Sequence, residues 1–388
     1  MDHARATPTR RLLDHVVTAL PRAREASVDR HVIGLLPGTG IGPEVTDAAL
    51  RVLGAVEETL GMRFEVRRGG PIGEAAERSC GAPLPESVAA FCAEVFRDGG
   101  AILSGPGGGR YVYDLRRQFE LFCKLAPVRS WPALRGLGRL NPAVSPELDL
   151  LFVRDNCGGV YQGRWRVERD DRGETAHHAF SYSESEVRRL ARVAVSLATK
   201  RRARVHVIVK HGGIPAVSDL WQRVALEVAA PHPVQVVIIN ADFAAFELVQ
   251  HPELFDVILT PNLFGDILVD LSAVLQGSRG VTFSGNFAAD GRAVYQTNHG
   301  CAHDLAGTDT ANPAGQLLAL AMLLRESFDL PEAAALVESA LAAAWIAGCR
   351  TADVAVPGCQ VLGTRAMGEA VARQVVALSR EAAERVTP

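Results

Sequence analysis

From His31 onward the chain alternates two patterns: short runs of consecutive apolar residues that end in glycine or a charged residue, and longer stretches whose apolar residues recur every three or four positions. HVIGLLPGTGIGPEV opens with such a run, passes through three glycines and Pro43, and continues into TDAALRVLGAVEETL. It therefore predicts a strand, a tight loop and an amphipathic helix. GGAILSGPGGG, ELDLLFVRD, ARVHVIVK, VQVVIIN and FDVILTPN are dense in Val, Ile and Leu and predict further strands. Unbroken apolar strands alternating with helical segments predict an α/β fold around a largely parallel sheet covered on both faces.

Two regions depart from that alternation. From Gly158 to Tyr182 the pattern turns polar and charged without a helical period, which predicts an exposed hairpin or arm. Residues 1–29 are Arg-rich and place Leu12, Leu13, Val16, Val17 and Leu20 at near-helical spacing without the continuous apolar stretch of a secretory signal. They predict an extra amphipathic helix packed on the body. The last third, with AGQLLALAMLLRESF and PEAAALVESALAAAW, is Ala-rich and helical.

Composition narrows the function classes. A chain of 388 residues that is 48% hydrophobic can bury two domains, or one α/β unit in two lobes. Its 41 basic and 44 acidic residues are interspersed and leave a charge of −3, so there is no footprint for nucleic acid or anionic lipid. Partners are expected to be small molecules or copies of the chain itself. Seven cysteines, widely spaced and without a CxxC pair, fit reduced thiols in a cytoplasm better than a disulfide framework or a zinc site. Apolar runs such as Leu317–Leu324 are far shorter than the roughly 20 residues that span a bilayer, so no membrane segment is expected.

Candidate chemistry concentrates in PNLFGDILVD. On a helix, Asp266 and Asp270 stand at i and i+4 and share one face, where two like charges repel unless a cation joins them. Their neighbours Leu263, Phe264, Ile267 and Leu268 argue against a fully solvated helix. Asp242 follows the strand VQVVIIN, at the kind of strand end where α/β sheets carry ligands. Three carboxylates are hard oxygen ligands suited to Mg²⁺ or Mn²⁺. GTGIGPE is a weak dinucleotide signal, because its spacing is GxGxGxE and no ribose-reading acid follows at the usual distance.

Taken in order, HVIGLLPGTGIGPEV, LRRQFELFCKLAPV, VRDNCGGVYQG, DFAAFELVQHPELFDVILTPNLFGDILVD and HGCAHDLAGTDTANP resemble the signature segments of the isocitrate, 3-isopropylmalate, homoisocitrate and tartrate dehydrogenases. The resemblance runs from about His31 to the C-terminus. It implies a two-lobed fold of the isopropylmalate dehydrogenase type, not a Rossmann fold, in a homodimer whose active sites are shared. Residues 30–121 with 278–388 would form the large cofactor-binding domain, and residues 122–277 the small domain with the dimer interface and an arm at 158–182. Asp266 and Asp270 resemble the metal ligands of one subunit and Asp242 the ligand contributed by the other. Tyr161 resembles the family's proton donor, and Arg116 and Arg154 two of its substrate arginines. Arg110 lies where relatives select the third substituent of the substrate, in the loop GGGRYVYD, and would favour a carboxylate or phosphonate there. An exposed loop arginine is the ordinary alternative. Ile41, Gln296, His299, Gly300, Asp304 and Asn312 match the cofactor segments. A carboxylate at Asp304 accepts from ribose hydroxyls and repels a 2′-phosphate, which implies NAD.

Several positions depart from the family pattern. Ala126 replaces a third arginine, removing a charge-assisted contact worth roughly 1.5–3 kcal/mol. Counting back from Trp221, the family's catalytic lysine aligns with His211, while Lys210 lies one place early, so either is a candidate base. Gly213 stands for an asparagine, Gln296 for a glutamate, Thr39 for an aspartate and His303 for a proline. Housekeeping isocitrate or isopropylmalate activity is therefore not expected. The resemblance and its departures together imply an NAD- and Mg²⁺- or Mn²⁺-dependent dehydrogenase of a malate-like 2-hydroxy acid, with decarboxylation, in specialised metabolism. A ligand-binding relative without catalysis and a dehydrogenase that does not decarboxylate stay open as alternatives.

Overall fold

The structure, a computed structural model, describes residues 12–16, 31–137 and 148–386. Its strands are β1 His31–Leu36, β2 Phe64–Arg68, β3 Ala101–Ser104, β4 Cys123–Arg129, β5 Asp149–Asp155, β6 Arg164–Asp170, β7 Gly173–Ala179, β8 Arg204–Val209, β9 Gln235–Asn240, β10 Val257–Thr260, β11 Phe283–Phe287 and β12 Ala293–Thr297. The helices are α1 Leu12–Val16, α2 Gly42–Leu60, α3 Gly73–Cys80, α4 Glu86–Arg97, α5 Tyr111–Gln118, α6 Glu184–Ala198, α7 Pro215–Ala229, α8 Ala241–Gln250, α9 Asn262–Gln276, α10 Ala314–Glu326, α11 Pro331–Ile346 and α12 Thr364–Val386.

Ten strands make one sheet in the order β2-β1-β3-β12-β11-β4-β5-β10-β8-β9. Both ends are parallel, as the continuous apolar runs predict, but the centre is antiparallel: β11 pairs antiparallel with β12 and β4, and β4 with β5. The expectation of a largely parallel sheet thus fails at the middle. A short turn closes β11 onto β12, and a connection that short permits only an antiparallel neighbour. Pro127 lies in β4 beyond the stretch that β11 pairs, Cys123 to Leu125, so its missing N–H costs that ladder nothing.

Alternation along β4 decides what faces the site. Cys123 and Leu125 enter the main core, whereas Ala126 and Val128 pack with Phe152, Leu268 and Val269 against α9. Lys124 has the parity of Ala126 and lies opposite Arg154 in the ladder, which puts it on the α9 side. On the other side, α10 is buried along nearly its whole length, as a helix apolar on every face must be.

β6 and β7 form the exposed antiparallel hairpin expected at 158–182. The N-terminal helix is described only over α1, where Val16 is fully buried and His15 Nδ1 lies 2.7 Å from Ser196 Oγ on α6. Val17 and Leu20 lie outside the described residues. GGGRYVYD is not wholly a loop. The helical spacing of Tyr111 and Leu115, both buried, starts α5 directly after Arg110. Among the described residues, no helix is long and apolar enough to cross a membrane.

Candidate active site

The first turns of α9 meet the end of β5. Gly265 makes the approach possible: a Cβ there would lie 2.8 Å from Arg154 Cγ and 2.6 Å from Thr260 Cγ2. Arg154, whose side chain is 2% exposed, donates from Nη1 to Asp266 Oδ1 at 2.6 Å. It also donates from Nε and Nη2 to Asn262 Oδ1, at 3.2 and 2.8 Å. The Tyr161 hydroxyl donates to the other oxygen of Asp266 at 2.8 Å. Burial opposes the charge on Asp266, yet Arg154 and Tyr161 outweigh it and hold the carboxyl below its ordinary range. Burial, reinforced by Asp266, pushes the Tyr161 phenol up, so it keeps its proton. Asp270, one turn along, pairs with Arg279 at 2.7 Å, while burial raises its pKa.

Two carboxylates one helical turn apart, both offering hard oxygens, suit a divalent cation. Among the described residues of one chain, no third His, Cys, Asp or Glu side chain joins them. Asp242 is therefore not brought to Asp266 and Asp270 within the chain. The helix is not fully solvated, as expected, with Asp266 and Asp270 43% and 44% exposed and Leu268 buried, but Ile267 is 57% exposed. One residue on from Asp266, it points outward rather than into the sheet.

Three more cations surround this cluster. Arg116 is 3% exposed, and burial, with Arg154 beside it, lowers its pKa to about 10. Its Nε has no hydrogen-bond partner. Arg110 reaches across to the arm. It donates to the Tyr161 carbonyl at 3.2 Å and stacks on Trp165 and Tyr113, with its guanidinium carbon 4.6 and 5.4 Å from the ring centres. It is thus neither a free loop arginine nor a side chain open on all sides. Lys124, unmarked by the motif reading, is 4% exposed, and burial followed by Arg154 and Arg116 holds its pKa well below the usual lysine range. A lysine inside the apolar run LFCKLAPV was the available signal. Asn262, which anchors Arg154, was missed because an asparagine at a helix start reads simply as a cap.

Lys210, His211 and Asp242 form a separate, exposed group at the ends of β8 and β9. Lys210 Nζ lies 2.8 Å from Asp242 Oδ2, and this lysine lowers the pKa of Asp242. The His211 ring turns instead to Asp219, at 3.5 Å, while its backbone N–H donates to Asn240 Oδ1. The two candidate bases therefore face different carboxylates.

The cofactor segments converge at the opposite side of α2. Ile41 N–H donates to the Cys301 carbonyl at 2.9 Å, and Gly40, at φ +61°, leaves no room for a Cβ, which would stand 2.1 Å from that oxygen. Thr39 N–H donates to Pro106 O, so the loop after β1 is clamped between two others. His299 Nδ1 donates to the Gly300 carbonyl at 3.0 Å, leaving Nε2 as a buried acceptor without a partner, and burial lowers the ring's pKa. Gln296 Oε1 is likewise buried and unpartnered. Such orphaned acceptors fit a ligand that brings donors, as an adenosine does. Asp304 is exposed on the turn that follows. Asn312 is committed elsewhere: its Oδ1 accepts from Ala314 N–H at the start of α10 and its Nδ2 donates to Asp353. His303, in place of the family's proline, pairs with Glu74 at 2.9 Å.

Comparison with known proteins follows the same outline. The isocitrate/isopropylmalate dehydrogenase family model matches residues 32–371. The 3-isopropylmalate dehydrogenase of Methylococcus capsulatus is 38% identical over 355 residues, covering 87% of this chain and 97% of that protein. That of Hahella chejuensis is 40% identical over 357 residues, covering 87% and 97%. Among solved structures, isocitrate dehydrogenase from Methylococcus capsulatus superposes with a TM-score of 0.78 at 29% identity, covering 89% of this chain and 99% of that one. A match of this length in sequence and in fold places the chain in the isocitrate/isopropylmalate dehydrogenase family, whose members use NAD and Mg²⁺ or Mn²⁺ in oxidative decarboxylation.

Proposed function

We propose that this chain oxidises, with decarboxylation, a malate-like 2-hydroxy acid that carries a further anionic group at C3, a carboxylate or a phosphonate, in specialised metabolism. The observation that carries the reading is the Asp266 cluster: a carboxylate that accepts from Arg154 and Tyr161 and has Asp270 one turn away. Asp266 and Asp270 of one copy and Asp242 of a second would hold the divalent cation. When bound, the cation supplies Lewis acidity toward the 2-hydroxy acid, and NAD accepts the hydride.

The chain's own residues divide the remaining work. Arg116 and Arg154 orient carboxylates, for which planar guanidinium groups are suited. Lys210 takes the hydroxyl proton as C2 loses hydride, a role supported by its contact with Asp242 and by the turning of His211 to Asp219. The C3 carboxylate leaves as CO₂, its bonding pair passes into the enolate, and Tyr161 delivers a proton to C3. His299 Nε2 and Gln296 Oε1 offer acceptors to the adenosine, Ile41 and Gly300 flank it, and Asp304 reads the ribose in favour of NAD. Asn312 shapes that loop through its cap.

A cytoplasmic homodimer is part of the proposal. Phe243 and Phe246 on α8 are 55% and 56% exposed and stack together, close in sequence to Asp242. Apolar rings this exposed, next to a carboxylate that joins no metal-ligating cluster among the described residues, fit a face covered by a second copy.

The test is NADH formation with Mn²⁺ against a panel of 3-substituted malates, tartrate and phosphonomethyl analogues, with CO₂ measured in parallel. Turnover with equal NADH and CO₂ on a 3-anionic malate is the expected result. NADH without CO₂ removes decarboxylation. Saturable binding with no turnover on any member leaves a ligand-binding relative and overturns the enzyme.

A further inference from the structure

Lys124 carries a buried amine with no use in the reaction outlined above. It is 4% exposed, and among the described residues it has no hydrogen bond and no ion pair. Buried charges are ordinarily paired, because desolvating an ammonium without a partner costs several kcal/mol. The other side chains of β4 on the same face are those of Ala126 and Val128, both apolar, so a methionine would fill the position at no electrostatic cost. As it stands the site disfavours the charged form, and an anion brought beside the amine would reverse that.

The balance of neighbouring charge says what. Arg154 is matched by Asp266, and Asp270 by Arg279. Among the described residues, Arg116 and Lys124 have no carboxylate of their own, and Arg116 Nε has no acceptor. Arg116 and Arg154 act on Lys124 as like charges, against the opposing pull of Asp266 and Asp270. The pocket therefore holds more basic groups than carboxylates, with Arg116 and Lys124 left over from the two ion pairs, and a divalent cation adds to that imbalance. Arg154 is also heavily engaged, with each of its three nitrogens already donating to Asp266 or Asn262.

We propose that Lys124 is a substrate-binding and specificity residue, whose ammonium joins the Arg116 guanidinium in receiving a carboxylate of the substrate. This rests on the reading of the site as a 2-hydroxy acid pocket. Since Ala126 offers only a methyl group, the cation of β4 lies one residue pair nearer Asp155 than position 126, a displacement of about 7 Å along the strand. A substrate whose outer anionic group reaches that point is selected over one that places an alkyl group there.

The test uses tricarballylate, a tricarboxylate without a hydroxyl group, titrated calorimetrically into the metal-free full-length protein and into Lys124→Met and Lys124→Gln. Saturable binding by the wild type, weakened about tenfold to a hundredfold in both variants, is expected. The thermal midpoint of Lys124→Met should be unchanged or higher, because a buried amine without a partner among the described residues gives way to an apolar side chain of similar length. Equal affinities, no binding by the wild type, or failure of both variants to fold overturns the proposal, the last by making the lysine structural. The NADH assay separates this from the reading beneath it. A wild type that binds through Lys124 yet reduces no NAD sinks the dehydrogenase and leaves the anion site. One that turns over with the same KM in Lys124→Gln keeps the dehydrogenase and sinks Lys124.

Discussion

Two ion pairs of nearly equal length hold the two halves of the candidate site, and they are physically unlike. Arg154 meets Asp266 at 2.6 Å with side chains 2% and 43% exposed, the arginine fixed by Asn262 and packed against Gly265. Lys210 meets Asp242 at 2.8 Å with side chains 40% and 68% exposed. An exposed pair contributes about 0–1 kcal/mol, whereas a half-exposed carboxylate that compensates a buried guanidinium is worth more, up to about 3 kcal/mol once screening is discounted. The first half is thus built by the chain's own core. The second lies on a surface with exposed phenylalanines, where water screens it. Distance alone hides the difference.

The largest effect that would sharpen the contrast is expected at Asp266. Asp266→Asn takes a charged ligand from the metal pair and leaves buried Arg154 with a neutral partner. Loss of turnover on the order of 10⁴-fold is expected, since several kcal/mol of charge stabilisation disappears. Mn²⁺ binding, followed by electron paramagnetic resonance, should weaken in parallel. Unchanged Mn²⁺ affinity would remove Asp266 from the metal site whatever happened to the rate.

A smaller effect is expected in the exposed half, where it also decides between neighbours. Lys210→Met should lower kcat about 10²- to 10³-fold, the ordinary worth of a positioned acid or base, while leaving thermal stability within about 0.5 kcal/mol. His211→Ala should change kcat by less than about tenfold. The reverse order would return the base to His211, and equal loss in both would assign it to neither.

These two halves were also unequally legible in the sequence. Asp266 and Asp270 could be read as a pair because a helix fixes i and i+4 on one face. Arg154 and Tyr161 were found through family motifs, but the hydrogen bonds that join them to Asp266 cross more than a hundred residues and have no local signature. Lys210 and His211 could not be separated, since counting from Trp221 has an uncertainty of one residue and only the turn after β8 decides which side chain meets Asp242. β1, β3, β5, β8, β9 and β10 were legible from apolar runs. β2, β4, β11 and β12 were not, because FEVRR, CKLAPVR, FSGNF and AVYQT mix polar, glycine or proline residues into short strands whose place is set by neighbours in the sheet.

The smallest effect concerns His206, on the strand that ends at Lys210, and it tests whether the support beneath the exposed half is as dry as that beneath Arg154. His206 is 5% exposed, its ring centre lies 4.5 Å from that of Phe255, and its Nδ1 is buried without a partner. Burial, aided by Arg204 and Arg202 and opposed by Asp256, lowers its pKa to about 4. The unfolded chain, with an ordinary histidine near 6.5, takes up a proton that the folded chain refuses between pH 6.5 and 4. Stability from this group is therefore whole above about pH 6.5 and is lost as the pH falls toward 4, by roughly 3 kcal/mol at the most. His206→Phe, which keeps an aromatic ring against Phe255, should flatten that part of the urea-midpoint profile and leave the profile above pH 7 nearly unchanged. An equally steep acid limb in the variant would show that water reaches the ring, and that the floor of the exposed half is as open as its surface.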